Sequence, residues 1–463
     1  MARAALILAA GEGTRMKSDL PKVAHRVLGV PMVQLVVDAA RSAGVDRIVV
    51  VTGHKADVVE GLLEGVATCR QERQLGTGHA VMSARETLAD FDGSLLVLSG
   101  DTPLLRPQTI ARLAGERERP GAAVCVLTTM LDDPTGYGRI LRGDDTAVAG
   151  VVEEKDCTPE QRVIRETNTG TYCFDTRLLF EHLDGLSTQN AQGEYYLTDM
   201  IGILAAEGHR VDAVTTDDPT ETLGVNSRVQ LAEAGRVMQR RINEAHMLAG
   251  VTMTDPDLVW VGTHVTLGRD VVLEPMTFLI GETCVADGAV IGPSSRLTDC
   301  RVEAGAVVES SVLRDVHVGA GASVGPMSFL RPGTQLGPKA KTGAFVELKN
   351  TKVGAGSKVP HLSYVGDAEL GQDVNIGAGA ITCNFDGHGK FRTRVGDGAF
   401  VGSDTMMVAP VDIGAGAVTG AGSVIDRDVP ADALAVERTE IRIIERWAAE
   451  RRARWDTEEG TAR

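Results

Sequence analysis

The stretch VGAGASVGPMSFLRPGTQLGPKAKTGAFVELKN, residues 318–350, decides the fold of half this chain. Val318, Val324, Leu330, Leu336, Thr342 and Leu348 stand six apart in it, with several of them followed by Gly. The beat returns at Val395, Val401, Met407, Ile413, Thr419 and Ile425, in strings such as IGAGAV and TGAGSV. A short fixed period with one mostly aliphatic position is the signature of a parallel β-helix, whose coils bury their aliphatics only against the coils above and below. Working outward, the period is irregular from about 250, with aliphatics at 279, 285, 291 and 297, and it ends near 436. Residues 383–394, CNFDGHGKFRTR, break the beat before it returns to register, so they read as a loop thrown out from one corner. The tail, ERTEIRIIERWAAERRARWDTEEG, reads as helix that frays.

Upstream the beat is missing. ALILAAG, RIVVVTG and SLLVLSGD read as buried parallel strands ending at glycine or acid, and PMVQLVVDAARSAG as an amphipathic helix closed by Gly44. This alternation predicts a doubly wound, Rossmann-like α/β sheet over residues 1–228. NSRVQLAEAGRVMQRRINEAHMLAG carries apolar residues at helical spacing without proline, which predicts a linker helix over 229–249 before a β-helix and tail over 250–463.

Composition narrows the function. The 463 residues suit two or three domains, and a hydrophobic content of 43% is ample for real cores. Aromatics at only 4% suit a narrow prism filled by Val, Ile and Leu. A net charge of −16 argues against a nucleic-acid partner, because phosphate backbones need a cationic footprint. The seven cysteines are scattered without a CxxC pair and read as reduced thiols of a cytoplasmic protein. No apolar run approaches the roughly 20 residues of a membrane helix, and the N-terminal run is interrupted at once by Glu12 and Arg15, so it reads as a first strand.

Two phosphate motifs fail at the N-terminus. GEGTRMKS has Met16 where both the Walker loop and the dinucleotide fingerprint need glycine. What remains is a strand, a turn at Gly11 and Gly13, and the cations Arg15 and Lys22, a pattern suited to holding an anion. The alternative is a tight turn with solvated cations. Asp101 follows the strand SLLVLSG, at the kind of strand end where open α/β sheets bind ligands, and can serve Mg²⁺ together with substrate phosphates. The alternative is an Asp that caps the turn before Pro103. In the β-helix, Arg331 and Lys349 follow beat positions three hexads apart. If three hexads make a coil, these cations stack roughly 4.8 Å apart and need an anion between them, a phosphate. The alternative is a partner such as Glu347, or side chains splayed into solvent.

LAAGEGTRM with PK, QLGTGHA, SGDTPLL, DDPTGYGRI, VEEKD, NTG, NAQGEYYLTD and GVNSR resemble, in order, the sugar-1-phosphate nucleotidyltransferases. RPG, VELKN, HLSYVGD, NIGAG, ITCN, VGSD and AGS resemble the acetyltransferase half of that group's bifunctional N-acetylglucosamine-1-phosphate uridyltransferase/glucosamine-1-phosphate N-acetyltransferase family, over roughly residues 4–438. The resemblance implies a UTP and UDP-N-acetylglucosamine site of Leu8, Ala9, Ala10, Gly11, Lys22, Gln71, Gly76, Thr77, Ser99, Gly100, Asp101, Gly138, Glu153, Asn168 and Asn226, with Asp101 and Asn226 holding Mg²⁺. It implies Arg331, Lys349, Tyr364 and Asn375 for glucosamine-1-phosphate, His361 as the base, and Ala378, Asn384, Phe385, Ser403, Ala421 and Arg438 for acetyl-CoA. Glu12 stands where the family often has Lys, and Phe385 where it usually has Tyr. A left-handed, trimeric solenoid with sites built between subunits is implied as well, with small-molecule partners and neither nucleic acid nor membrane. The expectation is one enzyme with two sites, feeding cell-wall precursor synthesis. Its alternatives are a single-activity nucleotidyltransferase whose β-helix serves assembly or regulation, and a non-catalytic assembly protein that reuses both folds.

Overall fold

The run ALILAAG becomes a strand buried on both faces. In β1 (Arg3–Leu8), Ala4, Ala5, Leu6 and Ile7 are wholly buried. Ala4 and Leu6 share a core with Leu179, Leu183, Met200 and Leu204, while Ala5 and Ile7 share another with Val33, Val36, Val37, Ile110 and Leu113. Helices on both sides explain why the run is unbroken rather than alternating. The other strands are β2 (Arg47–Thr52), β3 (Ala67–Arg70), β4 (Ser94–Ser99), β5 (Ala122–Met130), β6 (Arg139–Arg142), β7 (Val148–Val152), β8 (Glu166–Asp175) and β9 (Arg210–Thr215). They form one sheet in the order β9-β5-β8-β4-β1-β2-β3, with β6 paired to β8 and β7. β4, β1, β2 and β3 run parallel, so their carboxyl ends share one edge. β8 runs antiparallel to β4 and pairs through Tyr172–Asp175, which carries Asn168 past Ser99 to that same edge.

The computed structural model describes residues 1–143 and 147–460, in two compact units: Met1–His246 with Trp260–Thr263, and Met247–Val259 with the chain from His264 onward. The helix Arg228–Leu248 is tied to the first unit, where Arg241 donates to the Leu104 carbonyl at 2.6 Å and to Asp218 at 2.9 Å. No described helix is long and apolar enough to cross a membrane. All seven cysteines are free.

In the second unit, successive coils lay short strands into three parallel sheets, the left-handed β-helix of hexapeptide repeats. Leu330 pairs Leu348 on one face and Leu336 pairs Val353 on the next. All twelve beat positions are at most 5% exposed, so the period is a core contact repeated coil after coil. Coils differ slightly in length. Val307 pairs Ser323, Ser323 pairs Lys341 and Lys341 pairs Lys358, separations of 16, 18 and 17 residues. Asn375 pairs Phe400 with the 383–394 loop between them, so the extra length leaves the prism and the register survives.

Candidate active sites

The first site gathers at the carboxyl edge of β1–β4. After β1 the chain turns through Gly13, at φ +69°, in the left-handed region that favours glycine. A Cβ there would stand 2.5 Å from the Cβ of Lys22, so the turn closes against that residue. Lys22 Nζ donates to Asp101 Oδ2 at 2.5 Å and to Asn226 Oδ1 at 3.0 Å. The Asp101 carboxylate therefore faces a cation, and its carbonyl accepts from Val225 N at 2.9 Å, which draws Asn226 in. Gln230 Oε1 accepts from Asn226 N at 2.9 Å and fixes it further. Two hard oxygens converging on one ammonium are a donor set suited to an oxygen-preferring divalent cation. Arg15 is exposed.

The neighbouring backbone is pinned to the sheet. Ala9 N donates to Val51 O at 2.9 Å, His54 N to Ala10 O at 3.2 Å, and Gly100 N to Leu8 O at 2.9 Å. Gly11 follows in that loop, and Ser99 ends β4 beside Gly100. Gln71, buried just after β3, donates from Nε2 to Gly76 O at 3.1 Å and stands 3.0 Å from His79 Nδ1. Thr77 Oγ1 accepts from Leu197 N at 3.1 Å.

A polar corner lies alongside. Asn168 N donates to Gly138 O at 2.9 Å. A Cβ built on Gly138 would be 3.5 Å from both Asn168 Cβ and Glu153 Oε2, so glycine leaves room between two polar side chains. Asn168 Nδ2 donates to the Tyr172 hydroxyl at 2.7 Å, and Thr198 Oγ1 to Glu153 Oε1 at 3.2 Å. Burial pushes the Glu153 carboxyl above its ordinary value. Tyr172 and Thr198 are orienting groups that the motif strings did not single out.

In the β-helix the sequence-predicted residues fall into two columns on different corners. Phe329 and Leu330 pair Glu347 and Leu348, and Lys349 pairs Gly366, so Arg331, Lys349 and Gly366 stack. The two cations meet carboxylates, as the alternative reading has it. They are stacked, and Arg331 does meet Glu347 Oε1 at 3.0 Å. Lys349 Nζ meets Asp367 Oδ2 at 2.8 Å. Asp367, which sequence reasoning missed, also accepts from Asn350 Nδ2 at 2.8 Å and Asn384 Nδ2 at 2.6 Å. Burial alone would raise its carboxyl, but these hydrogen bonds outweigh burial and hold it below the ordinary carboxylate value. The bond to Asp367 raises the Lys349 ammonium. Lys390, on the looped-out segment, faces Lys349, and that neighbour lowers its ammonium. A Cβ on Gly366 would lie 2.4 Å from the Tyr364 hydroxyl and 2.8 Å from Asn384 Nδ2, so only glycine admits both. Asn384 thus belongs to this cluster, and Phe385 next to it is exposed.

The second column follows the adjoining corner. Lys358 pairs Asn375, which places His361 level with Ala378. Asn375 pairs Phe400, which places Ala378 level with Ser403. Phe400 pairs Val418, which places Ser403 level with Ala421, whose carbonyl accepts from Arg438 at 3.5 Å. His361, Ala378, Ser403 and Ala421 therefore descend one edge at about 4.8 Å per coil. The His361 ring is exposed and has no hydrogen-bond partner among the described residues. Asn375 sits on this column's face and not with Arg331 and Lys349. Gly366 lies five positions after His361, a span of up to about 16 Å.

Residues 5–167 match the model of the MobA-like NTP transferase domain. The chain is 51% identical to the bifunctional protein GlmU of Heliobacterium modesticaldum over 445 residues, covering 96% of this chain and 97% of that one. The same-named protein of Streptomyces coelicolor is 50% identical over 455 residues, covering 97% and 94%. That of Brevibacillus brevis is 51% identical over 435 residues, covering 94% of each. This chain belongs to the GlmU family. It is a bifunctional transferase: it acetylates glucosamine-1-phosphate with acetyl-CoA, then joins UMP from UTP to the N-acetylglucosamine-1-phosphate formed. The product, UDP-N-acetylglucosamine, is a cell-wall precursor. As in other GlmU proteins the substrates are small molecules, and sugar-nucleotide synthesis of this kind uses a divalent metal.

Proposed function

We propose that the two reactions run at the two clusters just described, each with its own residues. The observation that carries this reading is the convergence of Asp101 and Asn226 oxygens on one cation in the first unit, and of Arg331, Lys349 and Lys390 in the second.

In uridyl transfer, an oxygen of the sugar phosphate attacks the α-phosphorus of UTP. A P–O bond forms in line as the bond to pyrophosphate breaks. The nucleophile is already an anion, so no base is required and the residues act by positioning and neutralising charge. Glu153 and Asn168 orient the sugar, and Gln71, Gly76 and Thr77 the uracil. Leu8–Gly11, Ser99 and Gly100 present backbone to the nucleotide, and Lys22 turns to its phosphates. Asp101 and Asn226 would hold Mg²⁺, whose contribution would be to neutralise phosphate charge.

In acetyl transfer, the amine of glucosamine-1-phosphate attacks the thioester carbonyl of acetyl-CoA. A C–N bond forms, the C–S bond breaks, CoA leaves as its thiolate, and His361 Nε2 or Nδ1 takes the amine proton. An imidazole suits general-base work at neutral pH, and a positioned base contributes about 10²–10⁴-fold. Arg331, Lys349 and Tyr364 hold the sugar phosphate. Asn375, on the adjoining face, is a further ligand of that sugar phosphate, and Ala378, Asn384, Phe385, Ser403, Ala421 and Arg438 line the acetyl-CoA path. Within one chain the phosphate cations and His361 occupy different corners, which supports a homotrimer whose site is completed by a neighbouring copy. The protein acts in the cytoplasm, where its substrates are made.

Replacing Asp101 by Asn tests the assignment. Pyrophosphate release that depends on Mg²⁺ is expected to fall by about 10²–10³ while CoA release persists. Unchanged pyrophosphate release would remove Asp101 from the reaction.

A further inference from the structure

A cluster of metal-ligating side chains lies in the first unit, away from the β1–β4 edge. His182 ends the helix Thr176–His182, Glu207 caps the helix Asp199–Ala206, and His209 stands just before β9. One ligand atom from each, two imidazole nitrogens and a carboxylate oxygen, all lie within 4.8 Å of one another. His182 Nε2 is 2.7 Å from Glu207 Oε2, and His209 Nε2 is 3.8 Å from the same oxygen. We propose that His182, Glu207 and His209 form a site for a borderline divalent cation of the Zn²⁺ class.

The tautomer of His182 is the decisive observation. Its Nδ1 stands 2.7 Å from the Leu178 carbonyl, which can only accept, so Nδ1 carries the hydrogen. In the neutral ring Nε2 is then a bare lone pair pointing at a carboxylate oxygen. Two lone pairs at that distance need a positive species between them. A proton is one candidate, and a metal is the other. An ordinary ion pair uses the proton and has no need of His209. Yet His209 turns its own Nε2 toward the same oxygen, with the two rings edge to face at 5.9 Å between centroids. If both rings were protonated they would repel. A metal accepts both lone pairs and the carboxylate at once.

The outer contacts agree. A metal-binding histidine usually donates its other N–H to a carbonyl or carboxylate, which fixes ring orientation, and Leu178 supplies that acceptor. Two imidazoles and one carboxylate suit Zn²⁺ and its neighbours among the transition metals, while Mg²⁺ and Ca²⁺ prefer oxygen alone. Tetrahedral Zn²⁺ with ligand bonds of about 2.0–2.2 Å sets its ligand atoms somewhat over 3 Å apart, so small rotations close the site. Three protein ligands leave a fourth position to water. The ion would staple the end of one helix to the turn that feeds β9 at the edge of the sheet.

The test is zinc binding by the full-length protein, titrated by calorimetry in excess Mg²⁺ so that the Asp101 and Asn226 oxygens are occupied. Wild type is expected to bind one Zn²⁺ per chain at this site. His209→Ala is expected to weaken it at least 10-fold, and His182→Ala with His209→Ala to abolish it. Uridyl transfer without zinc should be unchanged in both, which verifies folding. Co²⁺ should give wild type, and not the double variant, a visible absorption band. No zinc heat in wild type, or equal binding by the double variant, would overturn the proposal and leave a proton between His182 and Glu207.

Discussion

Asp367 holds the acetyl-transfer cluster together, and its removal has a calculable cost. It is only 8% exposed and accepts from Lys349, Asn350 and Asn384. Asp367→Ala leaves one ammonium and two amides without their acceptor. Breaking one side of a buried pair costs about 3–5 kcal/mol. The Lys349 and Asp367 side chains are 17% and 11% exposed, so some water reaches them and the lower end, about 3 kcal/mol, is expected. Asp367→Asn keeps the shape and one acceptor oxygen, and its cost should be nearer 1.5 kcal/mol. The carboxyl is held below its ordinary value, so its contribution is fully present above the unfolded-state pKa of about 3.9 and is lost as pH falls through the lower folded-state value. The gap between variant and wild type should therefore be constant from neutral to mildly acidic pH and close only in strong acid. Acetyl transfer, which needs Lys349 aimed, should fall about 10²-fold. The assay is urea inactivation followed separately through CoA release and pyrophosphate release. The CoA midpoint should drop in the order wild type, Asn, Ala, with the pyrophosphate midpoint unmoved. An Asp367→Ala protein with wild-type acetyl transfer and an unshifted midpoint would refute the reasoning.

Other substitutions separate the two sites further. His361→Ala should lower acetyl transfer by about 10²–10⁴ and leave uridyl transfer near normal, read as CoA against pyrophosphate release. Gly13→Ala forces a Cβ to 2.5 Å from Lys22 at a left-handed φ, so uridyl transfer should fall while acetyl transfer holds. Glu153→Gln should raise stability at neutral pH, because burial disfavours the charged carboxylate there, yet raise the KM for N-acetylglucosamine-1-phosphate. A destabilised Gln variant with unchanged KM would count against Glu153 as a buried sugar ligand.

Much of this architecture was legible in the chain. The beat at Val318–Leu348 reports a core contact made by neighbouring coils, and that contact depends on local sequence, so period alone predicted both the prism and the stacking of Arg331 on Lys349. The run ALILAAG likewise announced a strand covered on both faces. Other features depend on distant parts of the chain. Asp367 follows Gly366, the residue paired with Lys349, and nothing in the motif HLSYVGD says which side chain the acid will face. Lys390 lies where the beat is broken, so no register could place it beside Lys349. The approach of Asn226 to Lys22 spans most of the first unit, and only its motif string hinted at it. Asn384 meets Asp367 because the Ile381–Cys383 strand carries it past Gly366.

The most direct measurement is a single incubation with glucosamine-1-phosphate, acetyl-CoA, UTP and Mg²⁺, following CoA and pyrophosphate release while one component at a time is withheld. CoA should appear without UTP or Mg²⁺. Pyrophosphate should require all four and lag behind CoA, and added N-acetylglucosamine-1-phosphate should abolish both the lag and the need for acetyl-CoA. Pyrophosphate released from glucosamine-1-phosphate at full rate without acetyl-CoA, or CoA release that stops when UTP is withheld, would contradict two separate sites acting in that order.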